Sequence, residues 1–505
     1  MVSPFLFESK MMQIILVVLL ILFFYLAFRI VVPPLNFPRT IPTIPFYVIF
    51  LPSIFDIDQV DLFNLYLKEP LKKYGAAKIF FGSRWNIVVS KPEYLAQIFK
   101  DEETFAKSGN QKKIPYSVIA AYTGDNIISA HGEVWKTYRS IMANGLQQFD
   151  ETPFYHNAKL FCDILQKKIG DKDEALIPIS ADIQRLCLDN ISQVTLGFDF
   201  GGLREEYNPL LEHLVNIKKQ IFHPFFLTFP FFDSFPIPAR KKAFKEVEYF
   251  RQELVSHIQQ QLIKNFKFEQ TTFVSSDLVR AFNNQTINYK QLTDNLVILL
   301  VAGHENPQLL LTTSLYFLGK YKDTWQHKIR NEIENVSEPK TLGELPLLNS
   351  FLYEATRMLP PLNTIINRRT SRSCRLGSDI IIPQNTYVGY NNFGAAHEAK
   401  SWGTEADKFH PERWGDDMAS ISKKWKSAKS THAMSAFHGG RRACLGEKLG
   451  MAEMRITIAE MLRNFEWSLS PHWKEKMTPA GPLSPFKLEL KLKRLEFGLS
   501  KKETT

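Results

Sequence analysis

Ten residues near the C-terminal end, Phe437 to Gly446 (FHGGRRACLG), constrain this chain more than any other stretch. They place one cysteine in a turn with three glycines and two arginines, directly before a run that reads as helix, Glu447 to Leu462. A thiolate at Cys444 would face the first free N–H groups of that helix, and the helix dipole favours its negative charge. Gly440 permits a backbone conformation that residues with side chains resist, and Gly446 lets the helix start approach something flat. Arg442 carries a fork of donors suited to a carboxylate, and Phe437 is placed to shield the sulfur from water. A lone cysteine is ordinarily a buried free thiol in a turn. This setting instead combines a soft anionic ligand, a close planar approach and a carboxylate partner, which together describe a haem seat with a cysteine axial ligand.

Written F-x-x-G-x-R-x-C-x-G, the loop resembles the haem-binding signature of the cytochromes P450 at every fixed position. The resemblance implies that Cys444 is the thiolate ligand of the iron and that Arg442 contacts a propionate. Three further patterns lie upstream in that family's order. Trp135-Lys136-Thr137-Tyr138-Arg139 is a helical W-x-x-x-R; residues four apart share a helix face, so the indole N–H and the guanidinium can reach one anion. In the family this pair binds a haem propionate.

Leu292 to Gly319 reads as a long apolar helix interrupted by Gly303 and Pro307, which predicts a weakened, opened turn with free carbonyls. It resembles the oxygen-binding helix of the P450s, pattern A-G-x-(D/E)-T, with Glu305 at the acid position. Asn306 stands where the family has its alcohol. An amide donates a hydrogen bond but relays protons poorly, so an atypical oxidation is expected. Glu305 and Asn306 are the residues expected to order the water that supplies protons. Glu354-Ala355-Thr356-Arg357 is E-x-x-R, alone an ordinary surface ion pair. In the family it turns inward to meet an arginine of a downstream loop, here Arg413, and the trio is read as structural, bracing the loop that bears Cys444.

The N-terminal run Met11 to Phe28 is uncharged and mostly apolar. Eighteen helical residues rise about 27 Å, close to the hydrocarbon thickness of a bilayer. It ends in Arg29 and a Val-Val-Pro-Pro run without a small-residue cleavage site, which predicts a retained anchor. Arg29, Arg39 and later basic residues follow it, an asymmetry favouring a cytosolic body. Five prolines between Pro33 and Pro45 then read as a stiff hinge. The expected organisation is an anchor over 1–32, a hinge over 33–52 and a catalytic domain over 53–505. The fold the resemblance implies is mainly α with small β-sheets.

Ile79 to Ser90 reads as a hairpin about Gly82-Ser83, and Pro92 opens a helix through Phe99. Lys107 to Gly132 reads as a loop-rich segment carrying Lys112, Lys113 and Asn126. It is either a solvated charged loop or, by the resemblance, the variable loop that helps choose substrate. Ile221 to Phe232, aromatic and broken by Pro224 and Pro230, reads equally as a loop dipping into a membrane or as one packed on the core. Lys487 to Phe497 alternates and reads as strand.

Four widely spaced cysteines with no C-x-x-C pair argue against a disulfide scaffold or a zinc finger. The net charge of +10 is spread along the chain. With no compact basic motif, it points to a membrane surface or an acidic electron-donating protein and not to nucleic acid. No flavin or nicotinamide fingerprint is present, so the resemblance implies haem b, dioxygen, and electrons from NADPH through a separate cytochrome P450 reductase. It also implies residence in the endoplasmic reticulum membrane.

Ala302 to Leu311, Ile30 to Pro52 and Phe437 to Leu449 resemble the dityrosine-forming branch of the family. That likeness implies coupling of two N-formyltyrosines through their phenol rings for a spore wall. Lys112, Lys113 or Arg368 are the expected partners of such carboxylate-bearing substrates, and Arg368 and Arg369 lie one residue off the family's further propionate arginine. Hydroxylation of a lipid or other apolar molecule, and a haem protein without turnover, are the competing readings.

Overall fold

The computed structural model describes residues 4–264, 273–334 and 339–495. Helices dominate it. The longest is Tyr289–Lys320, which runs through the core with Leu292 to Val301 and Leu310 to Gly319 buried. Asn288 opens it with a capping box closed by Gln291. Its apolar length is met on one side by the Ser180–Ile191 helix and on another by the Glu447–Asn464 helix. At Gly303 an added Cβ would lie 2.2 Å from the Ile191 side chain, so only glycine permits this approach. The helix continues unbroken through Pro307. The expected opening reduces to one missing bond, since proline has no N–H for the Gly303 carbonyl a turn earlier.

Among the described residues, ten strands form three small sheets. β1 (Ala76–Phe81) and β2 (Arg84–Val89) form the hairpin about Gly82-Ser83. The other strands of that sheet are β3 (Phe105–Lys107), β5 (Thr364–Thr370) and β8 (Tyr387–Asn391), in the order β1-β2-β8-β5-β3. β4 (Glu174–Pro178), β9 (Phe465–Leu469) and β10 (Glu489–Arg494) make a second sheet, and β6 (Cys374–Leu376) with β7 (Ile380–Ile382) a third. Of the expected C-terminal strand, Glu496 and Phe497 lie outside the described residues.

The register of β5 against β8 slips between Ile366 and Arg368, which leaves Asn367 as an unpaired extra residue. A bulge of this kind bends the strand and re-aims a side chain.

The N-terminal helix, Pro4–Val31, carries large apolar side chains about half exposed from Met11 to Phe28. It is the one described helix long and apolar enough to cross a membrane. Part of the proline-rich stretch after it packs on the body. Ile41 and Ile44 are buried, Thr43 bridges Lys78 on β1, and Lys78 Nζ donates to the Pro38 carbonyl at 3.0 Å. Its second half therefore belongs to the body.

Candidate active site

The Cys444 loop is shaped by backbone demands. Gly440 has φ +61°, in the left-handed region, and a Cβ there would approach the Phe99 carbonyl oxygen to 3.1 Å. The Cys444 N–H donates to the Phe437 carbonyl at 2.9 Å, closing the loop. Phe437 packs edge-on against Trp425, 6.0 Å between ring centres, and both Trp425 and Lys429 donate to Glu447 at the start of the Glu447–Asn464 helix. At Gly446 an added Cβ would find nothing nearer than Cys444 Sγ at 4.0 Å, so the space beside the sulfur is free.

That space opens into a cavity of about 330 Å³, in the range of ligand sites. Phe437, Arg442, Cys444 and Gly446 line it from one side, and Ala302, Gly303, Asn306, Pro307 and Leu310 of the long helix from the other. Trp135, Arg139, Lys107 and Asn367 close its edges. The exposed surface of Cys444 faces this interior while protein packs densely around the residue. Burial pushes its thiol up to about 11, outweighing the Gly446 and Glu447 N–H groups that favour the thiolate. Without a metal the sulfur therefore keeps its proton at neutral pH, and a bound cation would draw that proton off.

Trp135 is 6% exposed and ringed by cations: the guanidinium of Arg442 lies 3.9 Å from its ring centre, Arg139 5.6 Å and Arg441 5.7 Å. Arg442 is buried, yet its Nη1 and Nη2 have no hydrogen-bond partner among the described residues. A buried guanidinium with two idle donors wants an anion. Burial lowers Arg442 to about 10 while Glu102 raises it, so it stays charged at neutral pH. The donor set therefore fits haem: a sulfur on one face, free space beside Gly446, and guanidinium groups for porphyrin carboxylates at the edge. Among the described residues no cluster of three His, Cys, Asp or Glu side chains is arranged to hold a metal ion.

The two expected residues of the long helix part company. Asn306 lines the cavity, its Nδ2 3.4 Å from the Ala302 carbonyl. Glu305, about 100° further round the helix, is not among the lining residues and pairs with Lys218 at 3.2 Å. His304, on a third face, is fully buried; its Nδ1–H donates to the Leu300 carbonyl at 2.6 Å. Burial takes it down to about 4, so it is neutral at neutral pH.

The structure brings Glu354, Arg357 and Arg413 together. Glu354 and Arg357 are fully buried, joined at 2.8 and 3.0 Å, and Arg413 Nε lies 2.9 Å from the same carboxylate. Trp414 Nε1 donates to it at 3.0 Å and the His410 N–H at 2.9 Å. Trp414 then packs on Trp425, which packs on Phe437. This run of rings connects the ion cluster to the cysteine loop.

The expected substrate cations are displaced. Lys112 is exposed, and Lys113 is buried away from the cavity, drawn to about 7 by burial and then by Arg84. Arg368 is fully buried, faces Glu102 at 3.4 Å and does not line the cavity. Lys107 lines it instead. Sequence reasoning missed Lys107 and Asn367. The alternation of β3, with Phe105 and Lys107 both inward, was the available signal for Lys107; the bulge at Asn367 had none.

The cytochrome P450 family model matches residues 42–494. The chain is 61% identical over 482 residues to Cytochrome P450-DIT2 of Saccharomyces cerevisiae, covering 95% of this chain and 98% of that one. It is 34% identical to Cytochrome P450 monooxygenase xanG of Aspergillus fumigatus, covering 90% and 87%. A crystal structure of a cytochrome P450 (CYP102L1) superposes with a TM-score of 0.71 at 20% identity, over 91% of this chain and all of that one. That last likeness concerns fold alone. A cysteine seat fitted for haem and a family match over most of the length have one explanation: the chain belongs to the cytochrome P450 family of haem-thiolate oxidoreductases.

Proposed function

We propose that this protein joins two N-formyltyrosines through their phenol rings, giving a bisformyl dityrosine for a spore wall. The observation that carries this reading is the place of residues 302–311. By this stretch the chain resembles the dityrosine-forming P450s, and it supplies the cavity wall opposite Cys444. Identity of 61% to P450-DIT2 over nearly the whole chain supports the same branch.

Cys444 is the iron ligand in this reading, with Trp135, Arg139 and Arg442 holding the propionates and Phe437, Gly440 and Gly446 shaping the seat. Bound haem supplies activation of dioxygen, assisted by thiolate donation. Two phenol rings each give up one hydrogen and bond to each other. One dioxygen, NADPH and a proton account for the remaining atoms and electrons, leaving two waters and NADP⁺. No oxygen atom enters the product. Asn306 holds a hydrogen-bond donor in the cavity without an alcohol, and Glu305, paired to Lys218 outside the lining, reaches cavity water only by leaving that partner. The largely apolar walls exclude bulk water. Lys107 is the lysine in place to receive a carboxylate; burial, then Arg368 and Arg442, hold it well below its usual range, and an anion beside it would restore its charge.

NADPH electrons arrive through a separate reductase. The Pro4–Val31 helix anchors the chain in the endoplasmic reticulum membrane, with residues 33–52 leading into a cytosolic body. Phe222, Phe225, Phe231 and Phe235 are exposed, while Phe229 stacks on Phe50 at 5.7 Å. The aromatic loop thus lies beside the segment leading from the anchor, which supports its contact with the same membrane.

The test is to incubate the purified chain with reductase, NADPH and N-formyltyrosine and weigh the products. A dimer two hydrogens short of twice the monomer is expected. A monomer gaining one oxygen would replace coupling by hydroxylation, and absence of product with a normal haem spectrum would favour a haem protein without turnover.

A further inference from the structure

We infer that Glu102 is a positioning residue of the haem seat, gripping Arg442 from behind so that its two free nitrogens face a porphyrin carboxylate. The inference rests on the family reading of the site. Glu102 lies in the turn between the Pro92–Lys100 helix and β3, outside every motif that marks the family here. Its side chain is 14% exposed. Oε1 accepts from Arg442 Nε at 2.7 Å and lies 3.4 Å from Arg368 Nη1. The Trp135 ring covers the flat face of Arg442 at 3.9 Å. With its Nε edge and one face held, the guanidinium keeps only Nη1 and Nη2 to offer, and both are buried without a partner.

Charge balance gives the arrangement a second purpose. Arg368 and Arg442 are both buried cations beside Glu102, with the buried Lys107 and the half-buried imidazole of His131 next to them. Haem b brings two carboxylates. Glu102 shares its negative charge between the two buried guanidiniums, so neither stands in a dry site as a wholly unpaired charge before those carboxylates arrive. Burial raises the Glu102 carboxyl, but Arg442 and Arg368 outweigh it and hold it below its usual range.

The test uses the full-length, haem-loaded chain after its reduced carbon monoxide band near 450 nm has been verified. Without that band the assignment of Cys444 as iron ligand fails, which is a separate outcome. Glu102→Gln keeps the shape and removes the charge. Haem transfer to excess apomyoglobin should quicken by about tenfold, the scale of one lost charged hydrogen bond. The ferric/ferrous midpoint should move positive, since an anion near the iron no longer opposes the added electron. Glu102→Asp should keep the native midpoint while losing haem faster than the native chain. Haem loss within about twofold of native at an unchanged midpoint in Glu102→Gln would overturn the proposal. A shift in Glu102→Asp as large as in Glu102→Gln would also overturn it, because packing alone would then be responsible. If the Gln variant does not accumulate, the Asp variant decides: faster haem loss at native potential supports the role, and native haem loss refutes it.

Discussion

Replacing Glu354 by glutamine tests the ion cluster behind the cysteine loop. The carboxylate is fully buried and accepts five hydrogen bonds, from Arg357 (two), Arg413, Trp414 and the His410 N–H. Glutamine keeps the shape but leaves two buried guanidiniums without their counter-charge. Breaking a buried pair by removing one partner costs about 3–5 kcal/mol, against a net stability of about 5–15 kcal/mol for a whole domain. Arg357→Gln should cost a similar amount, because Arg357 also donates to the Ala396, Ala406 and Lys408 carbonyls. Arg413→Gln should cost less, about 1–2 kcal/mol, because its side chain is 12% exposed and the Glu354–Arg357 pair it leaves behind is neutral. The expected order is Glu354 with Arg357, then Arg413. Urea unfolding of the detergent-solubilised chain, followed in parallel by tryptophan fluorescence and by haem absorbance, reads both the cost and its transmission to the seat. Haem release should precede or coincide with unfolding in Glu354→Gln, since Trp414 and Trp425 link the cluster to Phe437. A loss below about 1 kcal/mol for Glu354→Gln, or a larger loss for Arg413→Gln, would refute the account.

Cys444→Ser should fold but lose the 450 nm band of the reduced carbon monoxide complex; an unchanged band would remove the sulfur from the iron. Asn306→Thr, by adding an alcohol to the cavity wall, should lower the hydrogen peroxide released per NADPH consumed; a rise would show that the amide is the better fit. Glu453 is buried, bonded by Asn190 at 2.9 Å, and burial lifts it from 4.5 to about 7. Between about pH 4.5 and 7 the unfolded chain releases a proton that the folded chain keeps, so this residue's contribution to stability falls as pH rises across that window. Urea midpoints at pH 5 and pH 8 should therefore lie closer together in Glu453→Gln than in the native chain, and an equal or wider gap would contradict the assignment.

The parts legible in the sequence are those whose meaning lies within one element. The hydrophobic run of the anchor, the four-residue spacing of Trp135 and Arg139, the three-residue spacing of Glu354 and Arg357, and the glycine turn around Cys444 each depend on local geometry. Helical rise and rotation, together with glycine's backbone freedom, translate them directly into shape. The hairpin, the long central helix and the helical character of the chain were visible for the same reason.

Tertiary structure alone decided which charges meet. Glu102 and Arg442 stand 340 positions apart, and nothing in the spacing of either announces the other. Rotation about the long helix sent Glu305 to Lys218 and left Asn306 in the cavity, a choice made by what packs on each face. The bulge at Asn367 exists because β5 slips against β8, and Arg368, the next residue, lies off the cavity beside Glu102. Lys107 became a cavity cation because β3 turns it inward beside Phe105. Folding gathers these groups from distant parts of the chain into one low-dielectric space, and there each charge acquires its partner and its strength.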